Sequence, residues 1–382
     1  MTVLRKITSW FSGRAEASTD SEHRAKPARG LRIGWVISND RAWASSRLQG
    51  YLIHEWLLAH GHSSQILLEN FNAIPSVWSK EFFRSALRLS RSDCDIIVFE
   101  NGEWPTAQLA RVWRRLGKRA VGVRCDLVPG AFDETYDATI VPTEELRQAL
   151  SIQRAIVIED SVEVREDQFK HSYAQASRLR VVWLGHQDYE SYITGLIAKL
   201  STNPAISGRF DFELISKGDF ATRQWSEQTV AADILDCDIA LIAIPQGPWF
   251  QTKSTNRLAL MMALGMPTVA TLIPSYIRLA KNGGNGLFVA ADEEIADCLL
   301  ELQDDALREV LGTNARRTVL GQFGMERIGP QWLDALEATM RSERAPYPRK
   351  IHWLIFAKML YLASFWRAGN GQRGTARHDH IA

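Results

Sequence analysis

Residues 253–323 read KSTNRLALMMALGMPTVATLIPSYIRLAKNGGNGLFVAADEEIADCLLELQDDALREVLGTNARRTVLGQF. A polar loop enters an apolar helix, Gly265 ends that helix, and Pro267 opens a short apolar strand. Pro274 then begins a short helix, and the glycine-rich turn 282–286 leads into another strand. Strands that alternate with helices in this way predict a parallel sheet covered by helices.

The same alternation continues along the chain on both sides of a charged connection at 161–176. Before this connection, the pattern predicts strands at 31–37, 64–68, 95–100, 119–123 and 138–141, and helices at 48–60, 77–89 and 107–116. After it, the pattern predicts strands at 179–184, 210–215, 239–244, 268–271 and 286–289, and helices at 191–200, 257–264, 293–302, 306–320 and 325–341. These units predict an α/β protein with two Rossmann-like domains, 31–160 and 166–322, that face a cleft. Ligands of such sheets bind outside the carboxyl ends of the strands.

The composition excludes several classes of protein. With 382 residues, 46% of them apolar and 23% charged, the chain is a globular protein too long for one ordinary core, and it lacks the spans of a multi-spanning membrane protein. Its four cysteines lie far apart, which indicates a reducing compartment and argues against a zinc or disulfide framework. The net charge is +3 over 1–30, +5 over 346–382 and −7 between them, so a nucleic-acid partner is not expected.

Residues 253–290 closely resemble the donor-binding half of GT-B fold glycosyltransferases, in the large retaining, nucleotide-sugar-dependent family known as group 1. That family has a helix ending in A-x-G-x-P-V-V-A and a turn dG-x-N-G-x-x-V, and this chain has ALGMPTVA and NGGNGLFV. Residues 44–61 and 124–146 resemble its first-domain motifs more weakly. The segment from 323 to 336, with Trp332, resembles the family's last helix. The resemblance therefore implies a crossover helix, 323–345, that returns to the first domain.

The resemblance also implies a function. It implies transfer of a sugar from a nucleotide-sugar to a polar glycan or lipid-linked acceptor, as in polysaccharide biosynthesis, without a metal or a separate cofactor. The chain departs from the family pattern at Thr252 and Leu260, where glutamates are usual, and at Cys125, where a histidine is usual. These departures leave open a non-catalytic relative that binds a nucleotide-sugar or glycan as partner of an active transferase. An epimerase on the same fold is a third interpretation.

The loop that enters the helix of the second domain holds most of the donor-binding candidates. Lys253, Ser254 and Asn256 stand at the helix N-terminus, where free N–H groups and the helix dipole favour an anion. The Asn256 amide can both donate and accept, as a sugar hydroxyl requires. The alternative is a helix capped by Ser254 beside a solvated lysine.

Three further residues are weaker donor-binding candidates. Arg257 is a candidate second phosphate contact, although a surface charge is the alternative. Gly185 and His186 follow the first strand of the second domain, where close backbone approach to a ligand requires glycine. A plain turn at the end of that strand is the alternative.

The first domain supplies the acceptor-side and catalytic candidates. The acceptor-side candidates follow the first strand, and they are Asn39, Asp40, Ser45, Ser46 and Arg47. Glu100 and Asp126 follow later strands, where a carboxylate can position or deprotonate an acceptor hydroxyl. The alternative for Ser45 or Ser46 is that it caps a helix. The alternative for Glu100 and Asp126 is that they are ordinary surface acids.

Two apparent motifs do not predict sites. The DCD sequences at 93–95 and 236–238 look like metal-binding motifs, but both lie at strand starts, opposite the expected cleft. We expect solvated acids there and no metal site. No GxGxxG follows the strand at 31–37, which argues against a dinucleotide oxidoreductase.

Both ends of the chain combine apolar and basic residues. Residues 1–13 have helical apolar spacing beside Arg5 and Lys6, and are not expected to be a cleavable signal. Residues 351–367, IHWLIFAKMLYLASFWR, are the most apolar segment of the chain, with basic residues on both sides. Three interpretations of this segment stay open, namely a helix packed on the body, an interfacial helix and a helix that spans the membrane. We expect a cytoplasmic protein, peripheral on an anionic membrane face.

Overall fold

The computed structural model describes residues 30–71, 79–101, 106–128, 133–165, 167–174 and 176–344. Contacts between Cα atoms divide the chain into Met1–Gly30 and Leu31–Ala382, and the described elements belong to the second unit. The segments 1–13 and 346–382 lie outside the described residues.

The first sheet contains six parallel strands in the order β2-β1-β3-β4-β5-β6. The strands are β1 Arg32–Val36, β2 Ser63–Leu68, β3 Ile96–Phe99, β4 Arg119–Val123, β5 Ala138–Val141 and β6 Ala155–Val157. The helices are α1 Ala44–Ser46, α2 Leu52–Ala59, α3 Lys80–Arg91, α4 Thr106–Arg115 and α5 Glu144–Ala149, with a π-helical turn Arg47–Tyr51 between the first two. Strand β1 pairs with both β2 and β3, so the direction of winding reverses between β1 and β3.

The second sheet repeats this architecture in the order β12-β11-β10-β7-β8-β9, again all parallel. Its strands are β7 Leu179–Leu184, β8 Phe210–Ser216, β9 Arg223–Gln224, β10 Ile239–Ile242, β11 Thr268–Thr271 and β12 Leu287–Val289. Its helices are α6 Glu190–Thr202, α7 Val230–Leu235, α8 Pro248–Gln251, α9 Asn256–Ala263, α10 Pro274–Ile277, α11 Ile295–Glu301 and α12 Asp305–Phe323. Here the winding reverses between β7 and β10.

Buried apolar strands explain why both sheets carry helices on both faces. In β3, Ile96 and Val98 belong to one apolar core, and Ile97 and Phe99 belong to another. Because successive side chains of a strand point to opposite faces, these two cores lie on the two sides of the sheet. The predicted α/β class with two parallel sheets is therefore confirmed.

The last described helix, α13 Met325–Arg341, packs on the core of the first sheet. Trp332 is 2% exposed, and its ring centroid lies 5.9 Å from that of Trp35 in β1. Gly329 lies so close to Trp56 that an added Cβ would overlap the indole ring. The last helix of the described chain thus packs against the first, N-terminal sheet.

Several short elements differ from the sequence prediction. The elements that were not predicted are strands β6 and β9 and helices α5, α7 and α8, because two to six residues carry too little periodicity to identify an element. The helical region predicted at 48–60 begins earlier, at Ala44, and passes through the π-helical turn. Within the described residues, no helix is long and apolar enough to span a membrane.

We predict that Gly329→Ala destabilises the protein by about 1–3 kcal/mol, because the new methyl group must displace the Trp56 ring. Gly321→Ala in α12 is the matched control, since no heavy atom lies within 4 Å of its added Cβ and alanine favours a helix. Urea unfolding of both variants measures the difference. Equal stability of the two variants would contradict close packing of α13 on α2.

Candidate functional site

The winding reversals of both sheets place polar residues at the carboxyl ends of strands. In the first sheet, the Ser38 N–H donates to Glu100 Oε2 at 2.8 Å, and the Ser38 hydroxyl donates to the Glu100 carbonyl at 2.6 Å. In the second sheet, Gly185 and His186 follow β7, and the loop containing Lys253 lies between β10 and α9. These positions are where open parallel sheets bind ligands.

Three successive residues of that loop contact the first domain. The Thr143 hydroxyl donates to the Thr252 carbonyl at 3.1 Å. The Lys253 ammonium forms an ion pair with the Asp126 carboxylate, and the Ser254 hydroxyl bonds the carboxyl group of Asp160. The structure thereby brings together Asp126 and Lys253, which the sequence analysis assigned to different roles.

Helix α9 begins with an N-terminus that no side chain caps. Thr255 is the N-cap residue but makes no capping hydrogen bond, and its hydroxyl has no partner within the described residues although the residue is only 1% exposed. Ser254 is therefore not the helix cap. Half-buried Asn256, the first residue of α9, likewise makes no side-chain hydrogen bond in the described part of the chain. The positive end of α9 is thus available to an anion beside Lys253.

The other donor-side candidates lie nearby in different environments. Arg257 lies over the Tyr189 ring, 5.6 Å from its centroid, and bonds the Tyr276 hydroxyl. Exposed His186 accepts the Asp188 N–H at 3.3 Å, and its ring centroid lies 5.5 Å from that of Trp43 in the first domain. At Gly185, an added Cβ would overlap the Trp183 ring, so packing alone explains this glycine.

Glu100 is enclosed within the first domain. It is 0% exposed, and its Oε2 accepts both the Ser38 N–H and, at 3.1 Å, the Ser46 hydroxyl. Burial raises the pKa of Glu100 above its ordinary value of 4.5, and the hydrogen bonds from Ser38, Ser46 and Ser45 oppose this rise. Asp126 has a side chain that is 35% exposed. Of the two catalytic candidates, Asp126 is therefore the one that a ligand in the cleft can touch.

The acceptor-side candidates divide into accessible and enclosed residues. Asp40 is exposed and accepts the Ala42 N–H at 2.9 Å, and Asn39 and Ser45 are half-buried. Ser46 is buried against Glu100. Arg47 is 8% exposed, and its Nε lies 2.7 and 2.8 Å from the two carboxylate oxygens of Glu163. The roles of all five residues stay predictions.

The structure adds residues that the sequence analysis missed. Buried Asp160 follows β6, accepts a hydrogen bond from Gln49 Nε2 at 2.7 Å, and has a pKa raised by burial. Lys217 follows β8, and its Nζ donates to the Ala42 carbonyl at 3.0 Å. The same ammonium lies 5.8 Å from the Trp43 centroid and 5.0 Å from that of Trp225. Because Lys217 follows a strand at its carboxyl end, the rule used for His186 would have found it.

The two DCD sequences lie at the amino ends of strands, as predicted. Arg32 bonds both Asp93, at 3.0 Å, and Asp95, at 2.7 Å. Asp236 accepts from Arg180 at 2.7 Å, in the corresponding place of the second sheet. Among the described residues, no group of three or more His, Cys, Asp or Glu can hold a metal ion. Arginine pairing therefore accounts for these acids.

We predict that the stability of Glu100→Gln relative to the parent increases as the pH rises above 4.5. A carboxyl group with a raised folded-state pKa keeps its proton in the native state while the unfolded chain loses it. The parent therefore loses stability as pH rises from the ordinary value of 4.5 through the raised pKa, whereas a neutral glutamine does not.

Urea unfolding at a series of pH values measures this difference, with exposed Glu309→Gln in α12 as the control. The advantage of Glu100→Gln should shrink as the pH falls toward 4.5. A loss of stability that is equal at every pH would show that Glu100 is ionised in its buried place.

No protein-family model matches the chain, and no curated protein matches its sequence. Among solved structures, sucrose-phosphate synthase from Thermosynechococcus elongatus is similar with a TM-score of 0.63 and 13% identity, over 82% of this chain and 100% of that chain. A glycosyltransferase from Rickettsia africae gives 0.58 at 11% identity, over 82% and 100% of the two chains.

HepE from Anabaena, in complex with UDP and glucose, gives a TM-score of 0.54 at 13% identity, over 81% of this chain and 100% of that chain. Structural similarity at such low sequence identity shows the fold alone. The chain has the GT-B fold that its sequence resembles.

Proposed function

We propose that the protein transfers a sugar from a nucleotide-sugar to a polar acceptor bound in the cleft. The observation that carries this proposal is the uncapped N-terminus of α9, which lies beside Lys253 at the winding reversal of the second sheet. A diphosphate fits this place because backbone N–H groups, the helix dipole and a lysine all favour negative charge. The GT-B fold supports the same proposal.

The positive groups at α9 also suit the departure of the donor diphosphate. Negative charge develops on the diphosphate as the bond to the sugar breaks, and fixed positive groups stabilise that charge. Lys253 and the first N–H groups of α9 supply them, so the proposed mechanism is metal-independent and uses no further cofactor. Because HepE was solved with UDP and glucose, UDP-sugars are the first donors to test.

On the acceptor side, Asp126 is the residue that we propose to position the acceptor hydroxyl and to receive its proton. Its accessible carboxylate already lies beside Lys253, hence next to the proposed diphosphate site. Glu100 is enclosed, so its part is to hold the loops after β1 and β3 through Ser38 and Ser46. Most of the catalysis then comes from positioning and charge stabilisation.

Two observations support a second function, which is non-catalytic binding of a nucleotide-sugar or glycan. Thr252 uses its carbonyl to bind Thr143, and Cys125 has a pKa raised well above its ordinary value of 9.0 by burial, so neither supplies a charged catalytic group. Assays of donor hydrolysis and of transfer separate the candidates. A binder gives neither product, an epimerase changes the donor without an acceptor, and a transferase needs both substrates.

The first experiment is a thermal-shift screen of nucleotide-sugars. A true donor stabilises the folded protein by mass action, by about 2.7 kcal/mol at a hundred times its dissociation constant. Failure of every nucleotide-sugar to stabilise the protein would contradict both the transferase and the donor-binding alternative. A donor that stabilises but is never consumed would favour the non-catalytic binder.

We predict that Lys253→Ala weakens binding of the stabilising nucleotide-sugar by about one to two powers of ten. A lysine that faces a diphosphate makes charge-assisted hydrogen bonds, each worth roughly 1.5–3 kcal/mol. Asn256→Ala should weaken binding less, and the two losses should not add, because both residues contact one ligand. Calorimetry of the two single variants and of the double variant measures these losses.

Lys199→Ala supplies the control, since Lys199 is exposed on α6. Folding should change little in Lys253→Ala, because Lys253 and Asp126 have side chains 23% and 35% exposed and such pairs contribute about 0–1 kcal/mol. If Lys253→Ala binds the donor as tightly as the parent does, the donor site lies elsewhere.

We further propose that the acceptor is a glycan or lipid-linked molecule at an anionic cytoplasmic membrane face, as in polysaccharide synthesis. The support is in the sequence of the chain ends, where net charges of +3 and +5 accompany apolar segments. Each basic residue near such a surface contributes on the order of 1 kcal/mol, and interfacial tryptophans add to this.

We predict that deletion of residues 1–13 and 346–382 together releases the protein from membranes into the soluble fraction. Flotation of full-length and truncated protein with anionic liposomes at low salt measures this change, and circular dichroism checks that the body remains folded. Full-length protein that stays free of the liposomes would contradict the membrane proposal without touching the proposed transfer reaction.

A further inference from the structure

Helix α3 presents a basic face beside a cavity of the first domain. Its apolar positions Phe82, Ala86 and Leu89 are buried in the core, whereas Arg84, Arg88 and Arg91 are exposed. Residues at i, i+4 and i+7 lie on one side of a helix, spread over about 10 Å along its axis. The cavity measures about 560 Å³, and among the residues that line it are Gln65, Ile66, Arg84, Leu87, Arg88 and Arg91.

This cavity is separate from the cleft. Its floor comes from the edge strand β2, and its rim includes Asp93, which lies before β3 at the amino ends of the strands. The cleft candidates all follow strands at the opposite, carboxyl edge. A ligand of this cavity is therefore not the donor held at α9.

The three arginines have no carboxylate partner within the described residues. Asp93 on the rim is paired with Arg32 at 3.0 Å, and the connection 72–78, NAIPSVW, contains no acid. Like charges three or four residues apart on a helix repel each other. The helix dipole favours cations in the last turn, which suits Arg88 and Arg91, and Glu81 stands three residues before Arg84 without forming an ion pair with it.

The arginines and the size of the cavity indicate the class of ligand. Guanidinium groups bind phosphate oxygens in pairs, and a volume of about 560 Å³ lies within the range of small-molecule sites. Three guanidinium groups spread over about 10 Å suit several linked phosphate groups better than a single phosphate. The basic ends of this chain, with net charges of +3 and +5, do not complement the site.

A membrane surface fits this face less well than a soluble ligand does. An interfacial helix inserts exposed apolar side chains, but the exposed positions of α3 are Lys80, Glu81, Arg84, Arg88, Ser90 and Arg91. The apolar lining residue Leu67 is 5% exposed, so it is recessed behind the arginines. Helix α3 therefore offers a bilayer no exposed apolar side chain to insert.

We propose that this cavity binds a soluble ligand that carries two or more linked phosphate groups. Arg84, Arg88 and Arg91 hold the phosphates, and Ile66 and Leu87 contact the less polar part of the molecule. The site is independent of the proposed transfer reaction and adds a second anion-binding place to the fold.

The test uses full-length protein and inorganic tripolyphosphate, titrated by calorimetry at low ionic strength with sulfate of equal ionic strength as the comparison. In the Lys253→Ala background, which lacks the main lysine of the proposed donor site, addition of Arg84→Gln, Arg88→Gln and Arg91→Gln should weaken tripolyphosphate binding at least tenfold. A matched triple in the same background, Lys199→Gln, Arg317→Gln, Arg327→Gln, removes the same charge from exposed positions and should bind as Lys253→Ala alone does.

Lys253→Ala distinguishes this cavity from the cleft and should keep the tripolyphosphate site. Loss of all tripolyphosphate binding in Lys253→Ala alone would overturn the proposal, as would equal losses in the two triples. Binding of sulfate as tight as that of tripolyphosphate would show an adventitious ion only. Capture of the protein by anionic vesicles that requires the three arginines, with no binding of tripolyphosphate, would replace the soluble ligand with a lipid surface.

Discussion

One loop of the second domain contacts the first domain across the cleft through three successive residues. Thr252 offers its carbonyl to Thr143, Lys253 pairs with Asp126, and Ser254 bonds Asp160. Parallel sheets make this possible, because the loops that follow their strands all emerge at one edge and two such edges face each other here. The positions of Asp126 and Lys253 relative to each other depend on this contact.

Glu100 and Asp160 of the first domain are buried acids, and Glu163 in the connection after it is a half-buried one. Burial raises the pKa of Glu100, of Asp160 and of Glu163, and each has polar partners that oppose the rise. Glu163 is paired with Arg47, and Glu100 is held by serine groups. These acids are thus occupied in positioning loops, which leaves Asp126 and its lysine as the charged pair that a ligand can reach.

The sequence predicts those parts of the fold that local pattern determines. Apolar runs such as IIVF at 96–99 and IALI at 239–242 identify their strands, and strand ends then locate Glu100, Asp126 and the loop with Lys253. Asp160 was missed because it follows a strand of only three residues. The contact between Thr143 and Thr252 joins residues 109 apart in sequence, so only the packed structure shows it.

On the proposed function, the ion pair between Lys253 and Asp126 couples the two substrates. The partly exposed pair contributes about 0–1 kcal/mol, whereas each charge-assisted bond from Lys253 to a diphosphate is worth roughly 1.5–3 kcal/mol. A diphosphate therefore competes successfully for the lysine. The carboxylate of Asp126 is then free of the lysine and can contact the acceptor, which is expected on the side of the first domain. The donor thus prepares the group that positions the acceptor, which favours binding of the donor first.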